Sequence, residues 1–146
     1  CVDSNAGCMG DIPLLTGDDE GFRVLAGGSD GWRVMEPTHE ASPTRSLVYS
    51  VAAETAAAHV VRSDLANDLS AARLLRVVRV DTRDPEMLHE QIRQLSREIM
   101  GKPLSRSERS ALVALWTELM EEGADAIYAW EVVVAALLQD PSLGLY

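Results

Sequence analysis

The sequence is poor in residues that bind polyanions, and it has no apolar run long enough to span a membrane. Lysine occurs once, at Lys102, and 13 Lys and Arg against 23 Asp and Glu give a formal net charge of −10. That balance argues against binding to a nucleic-acid backbone or an anionic lipid surface. The longest helix-like apolar stretch, 124–138, contains Asp125 and Glu131 and is shorter than the roughly 20 residues of a membrane span. We therefore expect neither a nucleic-acid partner nor a transmembrane helix.

Cysteine is also scarce, since only Cys1 and Cys8 are present and they do not form a Cys-x-x-Cys pair. This spacing argues against a zinc knuckle and against covalently attached c-type haem. A chain that starts at cysteine is typical of a mature bacterial lipoprotein, with the lipid on Cys1; an arbitrary fragment boundary is the alternative. A Cys1–Cys8 disulfide is a further possibility, which lipidation of Cys1 would exclude. We expect an extracytoplasmic chain, in the periplasm or at the cell surface, whose one membrane contact would be that lipid anchor.

No catalytic, metal-binding or cofactor-binding motif is recognisable. The histidines at 39, 59 and 89 lie on separate elements without ligand spacing. The acidic stretch 18–20 lacks the alternation of a calcium loop. No serine lies in Gly-x-Ser-x-Gly, and there is no Gly-rich phosphate loop. The sequence therefore predicts no catalytic residue, no metal site and no cofactor.

The first 42 residues differ from the rest, because they hold seven of the ten glycines and little apolar periodicity. Two short strands, 21–25 and 31–35, could form one β-hairpin around a Gly/Asp turn. An irregular arm is the alternative. In either case we expect Phe22 and Trp32 to make contacts with the helical body or with a partner.

Helical signals follow from residue 43. Ser42-Pro43 is typical of a helix start, and apolar residues at helical spacing predict a helix over 43–63. The stretch 67–80 is ambiguous and suggests a short helix that runs into an extended segment. Asp84-Pro85 predicts the next helix start, and Gly101 its end.

Two further helices complete the pattern. Ser105 and Glu108 form a capping box, and Gly123 is expected to end the helix that follows. The last helix, 124–139, is apolar almost all round and should be buried centrally. The short links predict that the last three helices are antiparallel neighbours. The sum is an all-α bundle of four or five helices over 43–146, preceded by a loop-rich arm, 1–42.

The carboxy-terminal part resembles a known helical domain. The resemblance begins with the segment Gly101-Lys102-Pro103-Leu104-Ser105-Arg106-Ser107-Glu108. It continues through Leu112, Leu115 and Trp116. It ends with the tail Gln139-Asp140-Pro141-Ser142-Leu143-Gly144-Leu145-Tyr146. This order is similar to a domain of large secreted proteins of planctomycetes and myxobacteria, which accompany or are fused to c-type cytochrome domains. Upstream, Gly21-Phe22 and Tyr49-x-x-Ala52-Ala53-Glu54 resemble the segment that precedes it, so the resemblance covers about residues 17–146.

The chain departs from that family at Lys102, where arginine is usual, at Asp140, where serine is usual, and in stopping where the family continues into further domains. Because the family's own chemistry is poorly defined, the resemblance implies no catalytic residue. It implies an accessory or structural subunit of an extracytoplasmic assembly that contains cytochrome c and transfers electrons. A fragment of a secreted multidomain enzyme, with its active site on another chain or domain, is the alternative.

Overall fold

The computed structural model describes residues 22–28, 36, 42–67 and 69–143. Within these residues the fold is all-α, as predicted, with no β-strand. The elements are α1 (Phe22–Leu25), α2 (Pro43–Ala66), α3 (Pro85–Met100), α4 (Arg106–Glu121), α5 (Ala126–Leu138) and a final 3-10 turn, η1 (Pro141–Leu143). No described helix has both the length and the apolar character needed to cross a membrane. The chain divides into two compact units, 1–52 and 53–146, and the division falls inside α2.

In the first unit, the predicted strand at 21–25 is wrong, because Phe22–Leu25 forms the single helical turn α1. The turn closes where the Gly27 N–H donates to the Val24 carbonyl at 2.9 Å. Gly27 has a φ of 93°, a left-handed conformation that glycine adopts without a Cβ penalty. The second predicted strand, 31–35, lies outside the described residues.

Helix α2 begins where the sequence predicts. The Ser42 hydroxyl accepts the Arg45 N–H at 3.1 Å, and Pro43 occupies the first helical position, where its missing N–H has no cost. The helix ends at Ala66, three residues beyond the predicted end at 63.

The connection from α2 to α3 corrects the interpretation of 67–80. None of its described residues is helical, and they follow turns and bends without regular structure. Leu75 and Val78 are nevertheless fully buried, so the connection is part of the core. Its path depends on side chains of the flanking helices, as described below.

The predicted boundaries of α3 and α4 are confirmed, whereas α5, expected over 124–139, spans Ala126–Leu138. The Asp84 carboxylate accepts the Glu86 N–H at the start of α3, and Gly101 ends α3 with a φ of 66°. The capping box of α4 is present in both directions: Ser105 Oγ accepts the Glu108 N–H at 3.2 Å, and the Glu108 carboxylate accepts the Ser105 N–H at 2.7 Å. Gly123, with a φ of 92°, follows α4.

The core of the second unit is built around α5. This helix buries seven of its 13 residues, which fits its almost uninterrupted apolar sequence. Helices α3, α4 and α5 all pack on one another. Trp116 of α4 and Trp130 of α5 are both buried, as their helical spacing predicts, and their rings lie 6.0 Å apart. The other fully buried large side chains include Leu75, Val78, Ile92, Leu95, Val61, Val133 and Val134.

Candidate functional site

The amino-terminal part of α2, residues 43–52, is a stretch of helix that exposes large apolar side chains. All ten residues are exposed or half-buried, although they include Leu47, Val48, Tyr49 and Val51. The side chain of Leu47 is 65% exposed and that of Tyr49 is 46% exposed. Helices in proteins are stabilised mainly by burying an apolar face. This segment, which we call the α2 arm, has no fully buried face of that kind.

Farther along α2, Asp64 is buried and holds the connection that follows. It is 3% exposed, and its carboxylate accepts three backbone N–H groups. Those of Arg73, Leu74 and Leu75 donate at 2.9, 2.7 and 2.9 Å. The carboxylate accepts hydrogen bonds from main-chain N–H groups that are removed from water. In a helix or a strand, backbone carbonyls would accept those hydrogen bonds.

Gln91 of α3 binds the same connection. Its side chain is completely buried. The Val77 N–H donates to Gln91 Oε1 at 2.8 Å, and Gln91 Nε2 donates to the Leu74 carbonyl at 2.8 Å. Leu74 therefore has its N–H bound by Asp64 and its carbonyl bound by Gln91.

Two ion pairs add to the attachment of these elements. Arg62 of α2 contacts Glu131 of α5 at 2.7 Å, and Arg76 of the connection contacts Glu98 of α3 at 3.6 Å. In both pairs the arginine is more than half exposed, so each contributes little to stability in water. The buried hydrogen bonds of Asp64 and Gln91 have the larger effect.

A cleft of about 340 Å³ opens between α3 and α4, next to the end of the connection. Its walls are mostly apolar, and Trp116 forms part of them. The lining residues are Arg83, Pro85, Leu88, Val113, Trp116, Thr117, Met120 and Glu121.

Arg83 is the cationic residue of this lining, and its guanidinium is held in place. Nη1 donates to the carbonyls of Val80 and Thr82 at 2.8 and 2.9 Å. The guanidinium carbon lies 5.5 Å from the centre of the Trp116 ring, within cation–π range. Among the described residues, no carboxylate forms an ion pair with Arg83.

The indole N–H groups of Trp116 and Trp130 are both buried, and neither has a hydrogen-bond acceptor in the described part of the chain. Their rings are inclined at 46° to each other. A buried donor without an acceptor costs stability. The apolar burial of two large rings offsets that cost here.

In the described part of the chain, two carboxyl groups have a shifted pKa. The hydrogen bond from Arg93, followed by the charge of that arginine, lowers the pKa of Glu90. The Ser105 hydroxyl, followed by the Ser105 N–H, lowers the pKa of Glu108. Both groups lie on solvated helix surfaces and neither lines the cleft, so the shifts reflect a surface ion pair and a helix cap.

Most of the site residues named from the sequence fall outside the structural description. Cys1, Cys8 and Trp32 lie outside the described residues, as does the acidic stretch 18–20. Phe22 begins α1, but its side chain is not described. Among the residues that the structure describes, no group of three His, Asp or Glu side chains could hold a metal ion.

Sequence reasoning missed Asp64, Gln91 and the cleft. A signal existed for the first two, because each polar residue interrupts an apolar stripe. Asp64 follows Ala57 and Val61 at helical spacing, and Gln91 lies one turn after Leu88 on the same face. The cleft had no signal in the sequence, since its lining comes from three elements.

Comparison of the chain with protein-family models, with curated proteins and with solved structures gave no match. The resemblance to the secreted planctomycete and myxobacterial domain therefore stays a prediction.

Proposed function

We propose that this chain is a non-catalytic accessory or structural subunit that binds a protein partner through the α2 arm, residues 43–52. The observation that carries the proposal is that ten consecutive helical residues, four of them large and apolar, have no buried side chain. Covering Leu47 and Tyr49 with a partner would remove apolar surface from water, which is the main driving force of protein association.

The setting of the proposed assembly comes from the family resemblance. That resemblance suggests an extracytoplasmic complex that includes c-type cytochromes, with this chain as a helical component that holds no cofactor itself. The strongly acidic composition would favour a partner with a basic surface, because complementary charge speeds association.

The test is affinity purification of the full chain from cells that produce it, after mild crosslinking, with mass spectrometry of the proteins retained. The decisive comparison is between the wild-type chain and Leu47→Ser/Tyr49→Ser, followed by a binding titration with the purified partner. Tyr128→Ser is the matched control, because Tyr128 is also a half-exposed tyrosine, 52% exposed, on a different helix.

We expect one stoichiometric partner that the control retains, with binding at least about tenfold weaker in the double variant, which corresponds to about 1.4 kcal/mol. A chain that purifies alone as a stable monomer would contradict the proposal. If the double variant binds the partner as tightly as the wild type does, the α2 arm is not the binding surface.

A further inference from the structure

We propose that the cleft between α3 and α4 is a binding site for a small monocarboxylate with an apolar body, and that Arg83 binds the carboxylate. Neither the sequence motifs nor the proposed partner surface on α2 involves this cleft. The inference therefore does not depend on the proposed function.

The guanidinium of Arg83 is preorganised for this role. Its Nη1 is occupied by the carbonyls of Val80 and Thr82, and its face lies against the Trp116 ring. No described residue accepts a hydrogen bond from its Nε or Nη2. A fixed guanidinium with unused donors suits a carboxylate, whose two oxygens match the arginine fork.

Arg83 forms no ion pair with a described carboxylate, although the chain is strongly acidic. Arg62, Arg76 and Arg93 each pair with a glutamate, whereas Arg83 has no such partner among the described residues. Other surface arginines also lack one, but Arg83 is the arginine that lines the cleft. An anion bound there would pair with the exposed Arg83 guanidinium while its apolar part lies against the apolar wall of the cleft.

The size and lining of the cleft define the rest of the ligand. About 340 Å³ is near the lower end of the volumes found for small-molecule sites, so the ligand is small. Pro85, Leu88, Val113 and Met120 offer contacts to a short alkyl chain or a single ring. Glu121, the acidic residue of the lining, repels an anion and so favours a carboxylate placed towards Arg83.

The experiment is a titration of the full chain with 3-phenylpropionate, followed through the indole signals in ¹H–¹⁵N NMR spectra. The Trp116→Phe variant identifies the indole signal of Trp116, the tryptophan that lines the cleft. Two probes of the same shape are the ligand controls: the neutral 3-phenylpropanamide and the cationic 3-phenylpropylamine. We expect saturable binding of the acid, with the amide and the amine at least about tenfold weaker.

Three variants locate the site. Arg83→Gln removes the charge and should weaken acid binding at least about tenfold while leaving binding of the amide unchanged. Thr117→Trp places a large ring on the exposed wall of the cleft and should abolish binding of the acid without touching the core. Arg79→Gln is the matched control, because Arg79 is exposed in the same connection and does not line the cleft.

Several results would overturn the inference. Amide or amine binding as tight as that of the acid, unchanged acid binding in Arg83→Gln, or no saturable shift of the Trp116 signal at millimolar acid would each do so. A peptide that ends in a phenylalanine carboxylate tests the source of the ligand. If it binds more tightly than 3-phenylpropionate and its amidated form does not bind, the cleft prefers the carboxylate of a peptide carboxy-terminus. If it binds more weakly than 3-phenylpropionate, the ligand is a free small acid.

Discussion

The two connections on either side of α3 are built in different ways. The connection after α3, from Gly101 to Ser105, is short and is determined by residues within it: glycine in a left-handed conformation ends one helix, and a capping box starts the next. The connection before α3, from Asn67 to Arg83, has no regular structure in its described residues and is held by Asp64 and Gln91, which lie outside it.

This difference shows where an irregular segment can be stable. A connection whose Leu75 and Val78 are buried removes main-chain N–H and carbonyl groups from water. Those groups need partners, and without a helix or strand the partners must be side chains. The short connection avoids that requirement because it stays exposed, apart from Leu104.

This comparison predicts that removing the Asp64 carboxylate causes the largest loss of stability. Asp64→Ala leaves three N–H groups without their acceptor, one of them fully buried. At about 1–3 kcal/mol for each buried unsatisfied group, we expect a loss of about 3 kcal/mol or more in the free energy of unfolding. Urea denaturation followed by circular dichroism measures it.

Two further substitutions control that experiment. Asp64→Asn keeps the volume and one acceptor oxygen, so it should lose roughly half as much. Asp81→Ala removes an exposed aspartate of the same connection and should change stability by less than about 0.5 kcal/mol. If Asp64→Ala loses no more free energy of unfolding than Asp81→Ala does, Asp64 does not hold the connection.

A smaller loss is expected for Gln91→Leu, which preserves the bulk of the side chain but removes two hydrogen bonds. We expect about 2 kcal/mol, because the Val77 N–H and the Leu74 carbonyl are partly buried and lose their partner. Gln94→Leu is the control, since Gln94 bonds only to Glu98 on the surface of the same helix.

The double variant Asp64→Ala/Gln91→Leu sharpens the result. Both residues bind Leu74, so the two losses should not add, and the coupling should exceed about 0.5 kcal/mol. Simple additivity would mean that the two side chains act on separate parts of the connection.

The smallest loss of stability is expected for a substitution in the connection from Gly101 to Ser105. Ser105→Ala removes the acceptor of the Glu108 N–H and should cost about 1 kcal/mol at neutral pH. It should also raise the Glu108 pKa towards its ordinary value of 4.5, because the serine hydroxyl is the main cause of the lowered pKa. An NMR titration of Glu108 and denaturation at several pH values measure the two effects.

The sign of the pH dependence follows from the direction of the shift. Because folding lowers the pKa of Glu108, its contribution is complete above pH 4.5 and is lost as the pH falls through the folded-state pKa. The difference in the free energy of unfolding between the wild type and Ser105→Ala should therefore become smaller as the pH falls below 4.5. Ser110→Ala, an exposed serine within α4, should show no such narrowing.

Much of the helical architecture could be predicted from the sequence because its signals are local. Proline after a capping residue, glycine at a helix end and a Ser/Glu box act within a few residues, so the starts of α2, α3 and α4 could be read directly. The predicted hairpin strand at 21–25 failed for the same local reason. Five residues beside a Gly/Asp turn fit a short strand as well as one helical turn closed by Gly27.

The sequence by itself determined where α3 and α4 begin and end, and that α5 would be central, because caps and an all-round apolar sequence act without reference to distant residues. Only the tertiary structure decided the path of residues 67–83 and the place of the cleft. Both depend on residues brought together from separate elements: Asp64 and Gln91 for the connection, and Arg83 with Trp116 for the cleft. A hydrogen bond across 11 or 17 residues leaves no periodic trace in the chain, since its partners become neighbours only when the helices pack.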